Sequence, residues 1–316
     1  MNEQPLLSIV TPTLGKFSNY WLERLLKIKG NVEFVFVYPP GFPQKSVSDP
    51  RVRIITGPYK GEMMQRFVAF LNTTGKYVLA LDDDDYVHPD VLQAVEEYFE
   101  QFPESFVLRL RTIKIDYQEE ESIKAEWLEM PHIKDLKVIP GKPKKEELEV
   151  TLQELPIAPL DKALDPRCLV LPFAEREDMQ GSHIENFNTK VWRNDLVKEI
   201  LPDISQSTKL MGCLTWIPAS AFDRLMGLFL QAKFYKKGAI VGHWMPQPEQ
   251  IRYIDKDPAL KPPRFHVASD VLLVRSFPQY GYLWNLFFNK LYGVPRAFLK
   301  VMKWKFLKKS MPRAKV

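Results

Sequence analysis

A chain of 316 residues with 45% hydrophobic content can bury a sizeable core in one large or two ordinary domains, which excludes a disordered or fibrous protein. Its net charge of +5 hides a split: residues 1–270 carry 34 basic against 39 acidic side chains, whereas residues 271–316 carry ten Lys and Arg and no acid. Two cysteines, Cys168 and Cys213, offer neither a disulfide framework nor a metal-ligand spacing, and no window of about 20 residues is free of charge, so a membrane-spanning helix is not expected.

The N-terminal MNEQPLLSIVTPT has an acidic residue and no basic segment before its short apolar run, so it reads as a first strand, Leu6 to Thr11, and not as a signal peptide. A cytoplasmic location is the expectation. Ser18 can cap a helix with Trp21, Leu22, Leu25 and Leu26 on one face. Val32 to Tyr38 and Arg51 to Thr56 are strands, the first closed by Pro39-Pro40-Gly41. Glu62 to Asn72 is a helix with an apolar stripe of Met63, Met64, Phe67, Val68 and Leu71. Tyr77 to Leu81 is a fourth, buried strand, and a helix follows from Asp90 to Phe102, stopped by Pro103. This order predicts an α/β fold with a largely parallel sheet covered by helices.

Phe106 to Tyr117 alternates apolar and polar residues as one half-buried strand would. Residues 118–166 are rich in charge and proline and read as an inserted, loosely packed surface excursion. Helical patterns return at Lys190–Ile200 and Ala221–Phe234, followed by a strand from Ala239 to Val241. No internal repeat is present.

The segment KYVLALDDDD, Lys76 to Asp85, runs an apolar strand into four adjacent carboxylates. Unit charges ~4 Å apart repel by roughly 4 kcal/mol at a protein margin, so something must offset them. In open α/β sheets, ligands bind at the carboxyl ends of strands. In extended backbone Asp82 and Asp84 share one side and Asp83 takes the other, so the Asp-x-Asp pair can converge on one hard cation, Mn2+ or Mg2+, carrying a diphosphate.

Gly61-Glu-Met-Met-Gln-Arg66, continuing through Gly75 and Tyr77 to Asp82-Asp-Asp84-Asp85, resembles the nucleotide-sugar half of family 2 glycosyltransferases, as does Ser8-Ile-Val-Thr-Pro-Thr13. The resemblance covers residues 6–100 well and 185–250 loosely. It implies a GT-A fold and the transfer, with inversion, of a sugar from a nucleotide-diphosphosugar to an acceptor hydroxyl. It places Thr11, Pro12, Arg66, Asp82 and Asp83 at the donor and Asp84 on the metal, with Asp82 facing ribose and metal. Where relatives have a base-reading Asp, this chain has Val37-Tyr38-Pro39, so Tyr38, or else Tyr59, is the candidate donor contact and base identity is open. Asp223 in AFDRLMGL falls where relatives carry Glu-Asp before a leucine-rich helix and is the candidate catalytic base, although Phe222 replaces the usual Glu. Glu177 and Asp178 are the runner-up bases. His243 is a second candidate metal ligand, after the late strand.

The implied organisation is a transferase domain over residues 1–250, with a donor half to 117, an insertion over 118–166 and an acceptor half over 167–250. A linker and basic amphipathic tail follow over 251–316. From Arg296, basic Arg296, Lys300 and Lys303 share one helical face while Phe298, Leu299, Met302 and Phe306 cover another, and Trp284 and Trp304 would sit near headgroups. The tail therefore predicts peripheral attachment to an anionic membrane surface and a lipid-linked or polysaccharide acceptor, and no nucleic-acid partner. Two alternatives stay open: a different metal-dependent nucleotide-sugar enzyme such as a nucleotidyltransferase, and a non-catalytic nucleotide-sugar-binding homologue.

Overall fold

The computed structural model describes residues 3–141, 149–167, 183–208, 219–255 and 267–291, together with Leu299 and Met302. Its first hundred residues follow the order read from periodicity: β1 (Leu7–Pro12), α1 (Asn19–Leu26), β2 (Val32–Tyr38), β3 (Val52–Thr56), α2 (Glu62–Asn72), β4 (Tyr77–Ala80), β5 (Tyr86–Val87) and α3 (Val91–Gln101). Ser18 caps α1 as its sequence position suggests, its side chain accepting from Trp21 N at 3.0 Å.

Beyond α3 the chain departs from local expectation. Phe106–Tyr117 is two strands, β6 (Val107–Arg109) and β7 (Thr112–Asp116), in different sheets. The chain leaves the main sheet at Arg111, whose N–H donates to Gln250 Oε1 at 2.7 Å. The 118–166 stretch is not a loose excursion throughout: β8 (Lys137–Ile139) and β9 (Thr151–Pro156) join the main sheet, and Thr151, Leu152 and Gln153 are buried. Lys190 to Arg193 is β10, not the start of a helix; the helix occupies Asn194–Thr208. Then come the helix Ala219–Lys233, β11 (Ile240–Trp244), β12 (Ile251–Asp255) and two helices, Val267–Ser276 and Gly281–Leu291.

Nine strands form the main sheet in the order β3-β2-β1-β4-β10-β6-β11-β9-β8, and β5, β12 and β7 form a small second sheet. The β3 to β4 half is parallel, and β10 runs antiparallel between β4 and β6. Strand alternation sorts the core into two layers. Val10, Val35, Val37, Val78 and Ala80 face α2 and the later helices, whereas Leu7, Ile9, Phe34, Phe36 and Leu79 face α1 and α3. The order reverses between β1 and β4, so a crevice opens at their carboxyl ends, where open α/β sheets bind ligands.

Gly75 has a packing reason. A Cβ there would lie 2.8 Å from Ser8 N and 2.9 Å from Leu7 C, so only glycine lets the turn before β4 close on β1.

The helix Gly281–Leu291 buries Tyr282, Leu283 and Leu286 in the body's core, and Trp284 packs beside it with its Nε1 donating to Pro278 O at 2.9 Å. Trp284 is thus half-buried against the protein body. The helix expected from Arg296, with Trp304, lies outside the described residues except for Leu299 and Met302, which are 67% and 37% exposed. Among the described residues no helix is long and apolar enough to cross a membrane.

Candidate active site

At the crevice, β4 ends and the chain turns at once. Asp85 N donates back to Asp82 O at 3.2 Å, so the four aspartates form a turn and not an extended run. The turn, not strand alternation, decides where the carboxylates go. Asp82, Asp84 and Asp85 bring carboxylate oxygens within 4.8 Å of one another, and Asp83 points away to accept from Thr13 Oγ1 at 2.6 Å. Asp85 is buried and accepts from Ile254 N at 3.0 Å. Burial, then the charges of Asp82 and Asp84, push its carboxyl well above the usual carboxylate range. An all-carboxylate group with mutual repulsion and hard oxygen donors suits a small divalent cation, so these residues could hold one.

Beside this turn lies a cleft of about 510 Å³ lined by Pro12, Thr13, Lys16, Phe42, Lys60 and Asp82 to Asp84, among others. Two residues expected there are elsewhere. Thr11 and Tyr38 alternate into the α1 side of the sheet and are fully buried; Tyr38 Oη accepts from Lys45 N at 3.2 Å. Strand parity instead presents Pro12 and the residues just past the strand end. Gln65, one position before the expected arginine, ties the crevice together: its Nε2 donates to Val37 O at 2.7 Å and Thr13 O at 3.0 Å. In the sequence it stands beside the helix's apolar stripe, within the segment that carries the family resemblance.

Arg66 is 1% exposed and joins two halves of the chain. Its Nη2 donates to Asp82 and lies 3.3 Å from Glu62 Oε1; its Nη1 donates to Asn188 Oδ1 at 2.7 Å and sits 3.7 Å from Asp223 Oδ1. Asp223 occupies the first turns of the helix Ala219–Lys233. Phe222 beside it is fully buried against Phe67 and Phe70, which explains an apolar residue where a Glu was expected. Burial raises the Asp223 carboxyl, Arg66 opposes this and Asp82 adds to it, leaving it at about 7. Lys190, at the start of β10, is pushed down to about 7 by burial and by Arg109; its Nζ donates to Asn188 O at 2.8 Å. Between them Thr189 takes φ 60°, an unfavourable conformation for a β-branched residue. Asn188 and Lys190 belong to the segment Asn188–Leu196, which resembles the family's acceptor side, and the β4–β10 pairing brings them here.

His243 does not join the aspartates. It lies on β11 with its side chain toward α3, where Nδ1 is 2.9 Å from Tyr98 Oη and the ring packs 4.4 Å from Phe102. Burial lowers it to about 4, so it is a neutral core histidine. Glu177 and Asp178 lie outside the described residues.

Residues 42–144 match the family described as Glycosyl transferase family 2. A comparison with curated proteins finds no match. Among solved structures, the chain is similar to S. aureus TarS 1-349 in complex with UDP-GlcNAc, at 15% identity and TM-score 0.50, covering 85% of this chain and 66% of that one. The same protein in complex with UDP gives 15% identity and TM-score 0.48, covering 85% and 64%. The chain therefore spans about two thirds of the length of these structures, and the likeness is one of fold.

Proposed function

We propose that this chain, which resembles the family 2 glycosyltransferases in its motifs, over residues 42–144 and in its GT-A-like fold, transfers a sugar from a nucleotide-diphosphosugar to an acceptor hydroxyl. The observation that carries the reading is Arg66, a buried guanidinium that touches Asp82 on the donor side and Asp223 on the other. In this reading residues 1–117 supply the donor half and residues 167–250 the acceptor half.

The crevice falls within the range of small-molecule sites, roughly 300–1,000 Å³. Lys16 and Lys60 on its wall offer positive charge to a diphosphate. Asp84, with Asp82 and Asp85, would hold Mn2+ or Mg2+, which when bound supplies positive charge against the leaving diphosphate. Asp223 accepts the proton of the acceptor hydroxyl as general base, and Arg66 orients it and keeps it partly ionised at neutral pH. A single base beside one donor suits one in-line displacement, hence inversion. A panel of nucleotide sugars with Mn2+ or Mg2+, read by nucleoside diphosphate release, tests this; pyrophosphate release would point to a nucleotidyltransferase instead, and donor binding without turnover to a binding homologue.

The pH profile follows from Asp223. Only its carboxylate can accept a proton, and its carboxyl sits at about 7. With donor and metal saturating, transfer should fall about tenfold per pH unit below that value. His243, lowered to about 4, does not titrate in this window. A rate flat from pH 5.5 to 8 would remove Asp223 from this role.

Attachment to an anionic membrane through the residues after Leu291 completes the proposal, and with it a lipid-linked or polysaccharide acceptor. Vesicles of anionic lipid should bind the full chain at low salt and release it as salt is added. A chain ending at residue 291, which keeps the docked helix Gly281–Leu291, should not bind them.

A further inference from the structure

Along the carboxyl edge of the sheet, on the Asp223 side, runs a row of polar and cationic groups. Lys190 on β10 and Trp244 on β11 both stand opposite Arg109 on β6, and Gln153 on β9 stands opposite Trp244. The Arg109 and Arg111 guanidinium carbons lie 3.8 and 4.0 Å from the Trp244 ring centroid. Among the described residues, none of the three cations forms an ion pair with a carboxylate. Trp244 Nε1 and Gln153 Oε1 are buried without a hydrogen-bond partner, and Gln153 is 2% exposed.

Partly buried like charges beside one another destabilise a fold unless something negative joins them. Stacking on Trp244 offsets part of that cost, and Arg111 Nε donates to Met245 O at 3.2 Å, yet neither contact supplies a negative charge. The effect is visible in the groups themselves: burial, then Arg111, lowers Arg109 to about 10. Lys190 also feels the charge of Asp223, so the row adjoins the candidate base. It is distinct from the donor cleft, since none of Arg109, Arg111, Lys190 and Trp244 lines that cleft.

We propose that the row formed by Lys190, Arg109, Arg111 and the Trp244 N–H seats an oxyanion carried by the acceptor, a phosphate monoester or diester. A planar carboxylate is filled by one guanidinium fork; a row that offers an ammonium, two guanidiniums and an indole N–H has donors enough for the several oxygens of a tetrahedral group. The word acceptor rests on the transferase reading, whereas the oxyanion seat stands on the geometry alone.

The test uses the full chain and inorganic phosphate as probe, with acetate and sodium chloride at matched ionic strength as controls. Phosphate should raise the unfolding midpoint saturably and acetate should not. In the Arg109→Gln/Lys190→Gln double variant that shift should vanish, with the phosphate-free midpoint equal to or above the parent's because uncompensated charge has been removed. If that variant does not fold, Lys190→Met carries the test and should weaken phosphate by about fivefold or more, as expected for one charge-assisted contact. Phosphate protection that is the same in the variants, or that UDP with Mn2+ displaces completely, overturns the seat. The transfer assay separates the two readings. With an active donor, glycerol 3-phosphate should be preferred over glycerol and lose that preference in the variant. No preference in an active enzyme defeats the seat alone; a phosphate seat in a chain that turns over no nucleotide sugar defeats the transferase reading alone.

Discussion

Replacing Asp223 with Asn should lower kcat for sugar transfer by about 10²–10⁴-fold while leaving donor affinity within about twofold, since a general base acts only once an acceptor hydroxyl is in place. The amide keeps the side chain's volume and can still lie beside Arg66, 3.7 Å away, but it cannot take a proton. Nucleoside diphosphate release and donor binding by calorimetry measure the two quantities separately. The stability effect has a definite sign. The Asp223 carboxyl is raised in the folded protein to about 7, so the folded state holds a proton that the unfolded state has released. That term weakens the fold as pH rises from about 4 to 7. Asp223→Asn should remove it, giving a flatter stability profile over that window. Transfer that survives in Asp223→Asn would move the base elsewhere, with Glu177 and Asp178 next in line.

Asp84→Asn should abolish the metal dependence of donor binding. The loss should exceed the roughly 10–100-fold that removing a supporting partner of a metal ligand costs. Without metal the variant should unfold at the same temperature or slightly higher, because Asp84 adds charge to a turn where Asp85 is already held above the usual carboxylate range by burial and by its neighbours. Asp83→Asn is the contrast. Its carboxylate accepts from Thr13 Oγ1 and lies outside the three-aspartate group, so metal dependence should persist. Donor affinity that is unchanged in Asp84→Asn, with and without Mn2+, would remove the cation from the proposal.

Local chemistry was enough to read the first hundred residues. Apolar runs of strand length named β1 to β4, a period-3.6 stripe named α2, prolines on either side named α3, and a Ser at the right place named the cap of α1. The same local reading identified an acidic run at a strand's end, and the family resemblance singled out the arginine on the preceding helix. Local reading failed where partners come from far along the chain. Lys190–Arg193 looks helical by pattern and is a strand because it pairs antiparallel with both β4 and β6. Thr151–Pro156 sits in a charged stretch and is held by β11. His243 reads as a ligand beside a strand end, but side-chain parity on β11 sends it to Tyr98. The turn at Asp82–Asp85 gathers three carboxylates where an extended run would have gathered two. Sequence determined which residue types could do the chemistry. Non-local strand pairing decided which of them meet, setting Arg66 between Asp82 and Asp223 and lining up Lys190, Arg109 and Trp244, since sheet register is fixed by long-range hydrogen bonds and burial that no local window contains.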